Sequence, residues 1–207
     1  MNQFLFGYGS LVNSTSRRLT GVTGIALPAR VAYLHRRWGI PDAPQGVPGE
    51  VPKHGMTALA ANFSSEAVTT NGVLLPVTED QLAKFDLREE GYRRVRLDYE
   101  TISALDGNKV PLDDITAPIW AYLIPQEECV APSVEFPIAL SYVEVVVDGF
   151  REISEEAAVE FLKTTDQWTH FIDDRHDPRY VRAMTTVSRD KVDALLRSNL
   201  PRGICPV

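Results

Sequence analysis

The sequence predicts an α+β fold: a small mixed β-barrel or a strongly curved sheet with flanking helices. Two observations carry that prediction. Five or six short apolar runs bounded by turn residues follow one another with few helical patterns between them, which does not fit regular β–α–β alternation. Beyond residue 150 the pattern changes, and capped amphipathic segments take over. At 207 residues the chain is long enough for one sizeable domain with an appendage. The expected division is a domain over 1–165 and a C-terminal helical extension over 166–207 packed on it.

The elements follow in order. QFLFG, residues 3–7, reads as a first strand, and STSRRL as a short helical turn. ARVAYLHRRWG, residues 29–39, reads as one extended strand. Residues 39–56 hold four prolines and four glycines and read as a long loop, the kind that is functional or mobile. TALAANF and NGVLLPV are apolar runs of buried-strand type. In TEDQLAKFDLREE, Thr78 as N-cap and Gln81 three positions on make a capping box, so a helix is expected. YRRVRLDYETI alternates, with Val95, Leu97 and Tyr99 on one face and Arg94, Arg96 and Asp98 on the other. A polar turn over 106–114 precedes the strand APIWAYLI. SYVEVVVDGF is ambiguous, and its β-branched residues favour a strand. SEEAAVEFLKTT has Ser154 as N-cap and glutamates in the first turn. VSRDKVDALLRSNLPRG has Ser188 as N-cap, a staple between Val187 and Val192, and Val192, Leu195, Leu196 and Leu200 on one face.

Composition excludes several classes of function. A net charge of -7 argues against a broad nucleic-acid surface, while leaving room for a small anionic ligand in a local pocket. No apolar run approaches the roughly 20 residues that span a bilayer, so no membrane association is expected. MNQFLF has no basic stretch before its apolar residues, so no signal peptide is expected. Cys129 and Cys205 are too few for a disulfide framework, and a reducing cytoplasm is the expected location. His35, His54, His170 and His176 are scattered without metal-ligand spacing, so no metal is expected.

Two stretches are candidates for chemistry. FLFGYGSLVN carries Gly7 and Gly9 around Tyr8 where the first strand ends. A dinucleotide fingerprint or a GxSxG nucleophile elbow would each need glycine at position 12, which is Val12. The N–H groups of Gly9, Ser10 and Leu11 could instead form an anion-binding concavity. On spacing alone, a plain turn is the favoured account of the loop. FDLREEGYRRV ends a helix with Glu89 and Glu90 before Gly91. A carboxylate desolvated there would suit a general acid/base, although paired glutamates at a helix end are ordinarily solvated surface.

Together the two stretches resemble the γ-glutamylcyclotransferase-like family, which includes γ-glutamylcyclotransferases, γ-glutamylamine cyclotransferases and the plant avirulence-induced proteins. Tyr8-Gly9-Ser10-Leu11 match its YGSL-type loop. Asp86-Leu87-Arg88-Glu89 match the helix end that carries its glutamate, which puts the catalytic role on Glu89 rather than Glu90. GVLLPVTEDQLAKFD and the strand from Tyr92 through Arg94 and Val95 are similar to the family's flanking elements, and Tyr142 matches its tyrosine near the site. The resemblance covers residues 3 to about 150. It implies the family's fold, a helix over 142–150 against the propensity reading, and Tyr8, Gly9, Ser10, Leu11 and Tyr142 as substrate-binding residues. The long 39–56 loop departs from the family, and residues 165–207 have no counterpart in its smallest members.

The resemblance also implies a reaction. Family members split a γ-glutamyl amide by attack of the substrate's own α-amine on its γ-carbonyl, releasing 5-oxoproline and an amine. One glutamate serves as base and then acid, and no cofactor is needed. The expected partner is a small γ-glutamyl substrate, with no nucleic acid and no membrane, and the oligomeric state is open. Two other readings compete. One is a non-catalytic small-ligand-binding protein on the same fold. The other is a Ser10-dependent amidohydrolase, which requires a histidine beside Ser10.

Overall fold

The computed structural model of the chain describes residues 3–21, 24–42, 55–89, 91–112, 114, 116–180, 182, 188–201 and 203–204. Most of the expected 39–56 loop, together with Glu90, Val187, His54 and Cys205, lies outside the described residues.

A six-stranded mixed sheet forms the centre. Its strands are β1 (Gln3–Gly7), β2 (Leu27–Ala32), β5 (Thr69–Val77), β6 (Arg93–Leu97), β7 (Ile102–Ala104) and β8 (Ile119–Leu123), in the order β6-β8-β1-β5-β2-β7. β1 lies in the middle, antiparallel to β5 with Leu5 opposite Leu75, and parallel to β8. A second sheet holds β3 (Leu34–Asp42), β4 (Met56–Phe63) and β10 (Thr165–Asp166), in the order β10-β3-β4. A third pairs β9 (Ile138–Ala139) with β11 (Phe171–Ile172).

The mixed sheet with flanking helices is therefore as the sequence predicts, but among the described residues no closed barrel forms. The reason lies at Tyr33, which has φ of 60° and interrupts the expected strand over 29–39. Tyr33 anchors this break by donating its N–H to the Val68 carbonyl (2.7 Å), while its own carbonyl accepts from Ser64 N–H (2.9 Å). The chain leaves the large sheet after Ala32 and starts the second one at Leu34. Hydrogen bonds stitch the two together: Ile124 N–H donates to the Ala61 carbonyl at 3.0 Å, and Thr70 Oγ1 to the Leu34 carbonyl at 2.6 Å.

Among the described residues five α-helices surround the strands: α1 (Ser14–Arg18), α2 (Glu79–Arg88), α3 (Leu140–Arg151), α4 (Glu155–Lys163) and α5 (Arg189–Asn199). The Thr78–Gln81 capping box opens α2. Ser154 caps α4 through Ala157 N–H, whereas Ser188 occupies the N-cap position of α5 without a side-chain bond. α3 replaces the strand that propensity favours over 141–150. Every residue from Leu140 to Phe150 is buried, so tertiary packing outweighs the β-preference of its valines. Its Gly149 meets the first segment so closely that a Cβ would sit 2.4 Å from Asn13 N. That contact sets α3 directly against the end of the N-terminal loop.

Arg36, on β3, is fully buried. Its guanidinium donates to the Tyr8 carbonyl (3.1 Å), the Asn71 carbonyl and Oδ1 (2.8 Å each), Thr164 Oγ1 (3.0 Å) and Thr165 Oγ1 (2.8 Å). The ring of Phe161 lies 4.6 Å away. Among the described residues no carboxylate hydrogen-bonds to this buried cation, which is sustained by the surrounding oxygens, the π-face and the nearby Glu160 charge.

Candidate active site

The central strand β1 delivers its last residues to the rim of the sheet, where a 3-10 turn over Ser10–Val12 begins. The first N–H groups of any helical turn have no partner within it, so the turn presents donors. Gly9 lets the wall close up behind them. A Cβ there would lie 3.2 Å from the Tyr142 hydroxyl and 3.4 Å from Leu59 Cδ1, too tight without displacing a neighbour. Tyr142 reaches this point from the first turn of α3.

α2 approaches from the other side. Glu89 is its C-cap, with φ of -95° and ψ of 35°. Arg88 Nε pairs with Glu89 Oε1 at 3.0 Å, and Arg88 Nη2 donates to Ser10 Oγ at 3.1 Å. One guanidinium thus spans the helix-end carboxylate and the loop. The Ser10 hydroxyl also hydrogen-bonds with Tyr142. Phe6, Gly7, Tyr8, Gly9, Ser10, Leu11, Leu59, Glu89, Tyr92, Tyr122 and Tyr142 enclose a cleft of about 380 Å³, part of it open to solvent. All six residues selected from the sequence, Tyr8, Gly9, Ser10, Leu11, Glu89 and Tyr142, line it.

The tyrosines are tied down. Tyr8 donates its hydroxyl to the Tyr122 carbonyl at 2.6 Å, Tyr122 to Asp86 Oδ1 at 2.8 Å and Tyr92 to the Leu59 carbonyl at 2.8 Å. Each phenol has one proton to give, so Tyr8 is a wall of the cleft and not a donor to its contents. Burial pushes the Tyr8 hydroxyl well above its usual pKa, with the Glu89 charge adding to it. Burial also raises Tyr142, helped by Tyr180 and Glu89. Tyr122 is raised by burial and then by its bond to Asp86. The hydroxyls of Tyr8, Tyr122 and Tyr142 therefore keep their protons at neutral pH.

Sequence reasoning missed Arg88, Tyr92 and Tyr122, and also the residues that the C-terminal segment brings. Tyr180 lies against Tyr142 with ring centroids 4.7 Å apart, and Arg182 feels both Arg88 and Glu89. Arg88 was visible as the neighbour of Glu89 in the matched tetrapeptide; Tyr180 and Arg182 gave no local signal. Among the described residues no histidine lines the cleft, and the Ser10 hydroxyl is engaged by Arg88, so the base that a serine amidohydrolase requires is not beside it.

The architecture is a γ-glutamylcyclotransferase-like fold. A solved structure named γ-glutamyl cyclotransferase matches with a TM-score of 0.55 at 13% identity, over 95% of this chain and 99% of that one. An uncharacterized protein from Homo sapiens matches with a TM-score of 0.56 at 14% identity, over 94% and 98%. YkqA from Bacillus subtilis matches with a TM-score of 0.53 at 16% identity, over 80% of this chain and 56% of that one. No protein-family model matches the sequence, and no curated protein matches it. Among the described residues no helix is long and apolar enough to cross a membrane.

Proposed function

We propose that the protein is a γ-glutamylcyclotransferase-type enzyme that releases 5-oxoproline and a free amine from a γ-glutamyl amide. The observation that carries this reading is the single guanidinium of Arg88, which holds Glu89 at 3.0 Å and Ser10 at 3.1 Å. The Glu89 carboxylate and the loop Gly9, Ser10 and Leu11, far apart in sequence, thereby line one small cleft. The likeness of the fold to a structure named γ-glutamyl cyclotransferase supports the same reading.

The chemistry needs little machinery. The nucleophile is tethered to its target, and an aligned ring closure of this kind is worth roughly 7–11 kcal/mol. The α-ammonium has an ordinary pKa of about 8, so it must first lose a proton. Glu89 takes that proton. The α-nitrogen then attacks the γ-carbonyl carbon and closes a five-membered ring, while the oxygen gathers negative charge opposite the N–H groups of the loop. As the bond from carbonyl carbon to leaving nitrogen breaks, the protonated Glu89 delivers its proton to the departing amine, and the ring nitrogen gives up its second proton to solvent to leave the neutral lactam N–H. Tyr8, Leu59 and Tyr142 exclude water from the γ-carbonyl, so cyclisation outcompetes hydrolysis. The test is a screen of γ-glutamyl amides for 5-oxoproline by mass spectrometry. Release from at least one of them is expected. Binding without release would instead indicate a ligand-binding protein on this fold.

A further inference from the structure

The stretch FIDDRHDPRY, residues 171–180, takes no part in the proton transfers of Glu89, yet it carries a buried carboxylate, Asp174. β11 at its start pairs with β9, which brings Asp174 to the first turn of α3. The N-cap residue of that helix is Ala139, whose side chain can bond none of the free N–H groups of the turn. Asp174 supplies the cap from 33 positions beyond Ser141: Oδ1 accepts from Ser141 N–H at 2.8 Å, and Oδ2 accepts from Ser141 Oγ at 2.6 Å. Oδ2 also accepts from Arg179 N–H at 2.7 Å, and Ser141 Oγ accepts from Tyr180 N–H at 3.4 Å. Asp174 is 7% exposed, so these charge-assisted bonds are made largely away from water, where they count for more than at a surface. The next residue anchors the stretch from behind: Arg175 Nη1 donates to Glu144 on α3 at 3.2 Å and to Asp193 on α5 at 2.7 Å.

What the carboxylate holds in place is the residue after Ser141. The ring of Tyr142 lies 4.7 Å from that of Tyr180 and 5.6 Å from that of Trp38, and its hydroxyl hydrogen-bonds with Ser10 in the N-terminal loop. A Cβ on Gly9 would come within 3.2 Å of that hydroxyl, so a small shift of Tyr142 reaches the loop backbone. Asp174 itself does not line the cleft. It grips both sides of the Tyr142–Tyr180 contact, Ser141 on one and the Arg179 backbone on the other. We infer that Asp174 is a positioning residue for the cyclisation: through Ser141 it sets Tyr142, and through Tyr142 it sets the aim of the loop N–H groups at the carbonyl oxygen. This rests on the cyclotransferase reading and makes the C-terminal segment a working part of the site.

The test is a double-mutant cycle on the full chain, read as 5-oxoproline release from a γ-glutamyl amide that the wild type turns over. In Asp174→Asn the amide nitrogen cannot accept from Ser141 Oγ or Arg179 N–H. The expected result is a kcat about tenfold to a hundredfold lower with KM within about threefold, since the loop loses its aim at the oxygen of the transition state more than its hold on the bound amide. Tyr142→Phe, which removes the hydroxyl that bonds Ser10, should cost a similar factor. In the Tyr142→Phe background, Asp174→Asn should then cost less than about twofold, because the path it acts through is already cut. A residue that only stabilises the fold would give the same factor in both backgrounds. A second readout needs no turnover: with carbon-13-labelled tyrosine, the ring resonance of Tyr142, identified by its loss in Tyr142→Phe, should move in Asp174→Asn while that of Tyr99 stays. Ser141→Ala removes the hydroxyl but keeps the bond from backbone N–H to Asp174; it should lower kcat about threefold, again only when Tyr142 is present. That milder variant decides the matter should Asp174→Asn not fold. Equal factors in the two backgrounds, a wild-type kcat in a folded Asp174→Asn protein, or an unmoved Tyr142 resonance would overturn the inference and leave the cyclotransferase reading intact. If the wild type releases 5-oxoproline from no γ-glutamyl amide, the cyclotransferase reading fails and takes this inference with it.

Discussion

Glu89→Gln is expected to abolish 5-oxoproline release while leaving the fold in place. Glutamine keeps the shape of the side chain, and its carbonyl oxygen can still accept from Arg88 Nε, now 3.0 Å from the carboxylate. What it cannot do is take a proton from the α-ammonium. Losing one positioned acid/base costs 10²–10⁴-fold, about 3–5 kcal/mol of barrier. The upper end is expected, because one residue serves both proton transfers. The cost to stability is smaller. Glu89 and Arg88 side chains are 17% and 16% exposed, so a largely desolvated ion pair becomes a hydrogen bond of charge to dipole, worth about 1–2 kcal/mol less. Three measurements settle it: 5-oxoproline release, calorimetric binding of a γ-glutamyl amide, and a thermal melt. Binding should survive, since the loop N–H groups are untouched. Activity within tenfold of wild type would refute the carboxylate mechanism. If Glu90→Gln is the inactive variant instead, the assignment moves by one position.

Three further outcomes follow from the packing. Gly149→Ala would drive a Cβ to 2.4 Å from Asn13 N, where only backbone could yield, so a loss of about 1–3 kcal/mol is expected, together with reduced turnover because α3 carries Tyr142; a wild-type melting curve would show that the helix shifts freely. Arg36→Lys keeps the charge but loses the fork that serves five oxygens, and a loss of about 3 kcal/mol should lower Tm by about 6–12 °C in a scanning calorimeter; an unchanged Tm would mean the ammonium replaces the fork. Asp173, bonded by the Arg175 side chain, has its pKa lowered to about 2. Because the folded value is depressed, its contribution is fully present above about pH 4 and disappears as pH falls through about 2. The shift alone corresponds to about 2.5 kcal/mol. With 46% of the side chain exposed, about 1 kcal/mol remains after screening. Urea melts of Asp173→Asn should show that deficit at neutral pH and none below about pH 2; a pH-independent deficit would mean the interaction is not ionic.

The parts of the site that could be read from sequence are those whose signal is local. Glu89 sits within a tetrapeptide, and the loop within four consecutive residues. The capping box at Thr78 and Gln81 fixed the start of the helix that carries the glutamate. Where a residue's state depends on distant partners, the sequence was silent or misleading. The valines of α3 read as a strand because nothing nearby reveals that every face of the helix is covered. The break at Tyr33 depends on a left-handed backbone at a non-glycine residue, held by bonds to Ser64 and Val68. Nothing in the sequence around Arg36 reveals its burial, since its partner Thr165 lies 129 positions away. Tyr180 comes against Tyr142, and Arg182 near Arg88 and Glu89, only because the chain returns after α4.

Arg36 has a consequence for motion. Through one guanidinium, the carbonyl of Tyr8, just ahead of the glycine of the candidate oxyanion site, is tied to the hydroxyls of Thr164 and Thr165, where α4 ends and β10 begins. Neither end can detach without leaving a desolvated cation facing empty acceptors, so the two should open together or not at all. In amide hydrogen exchange, the loop around Gly9 and the junction at 164–165 should behave as one cooperative unit with a common opening free energy, although the sequence places them at opposite ends of the chain. The stiffness of the N-terminal loop is in this sense a property of the C-terminal half.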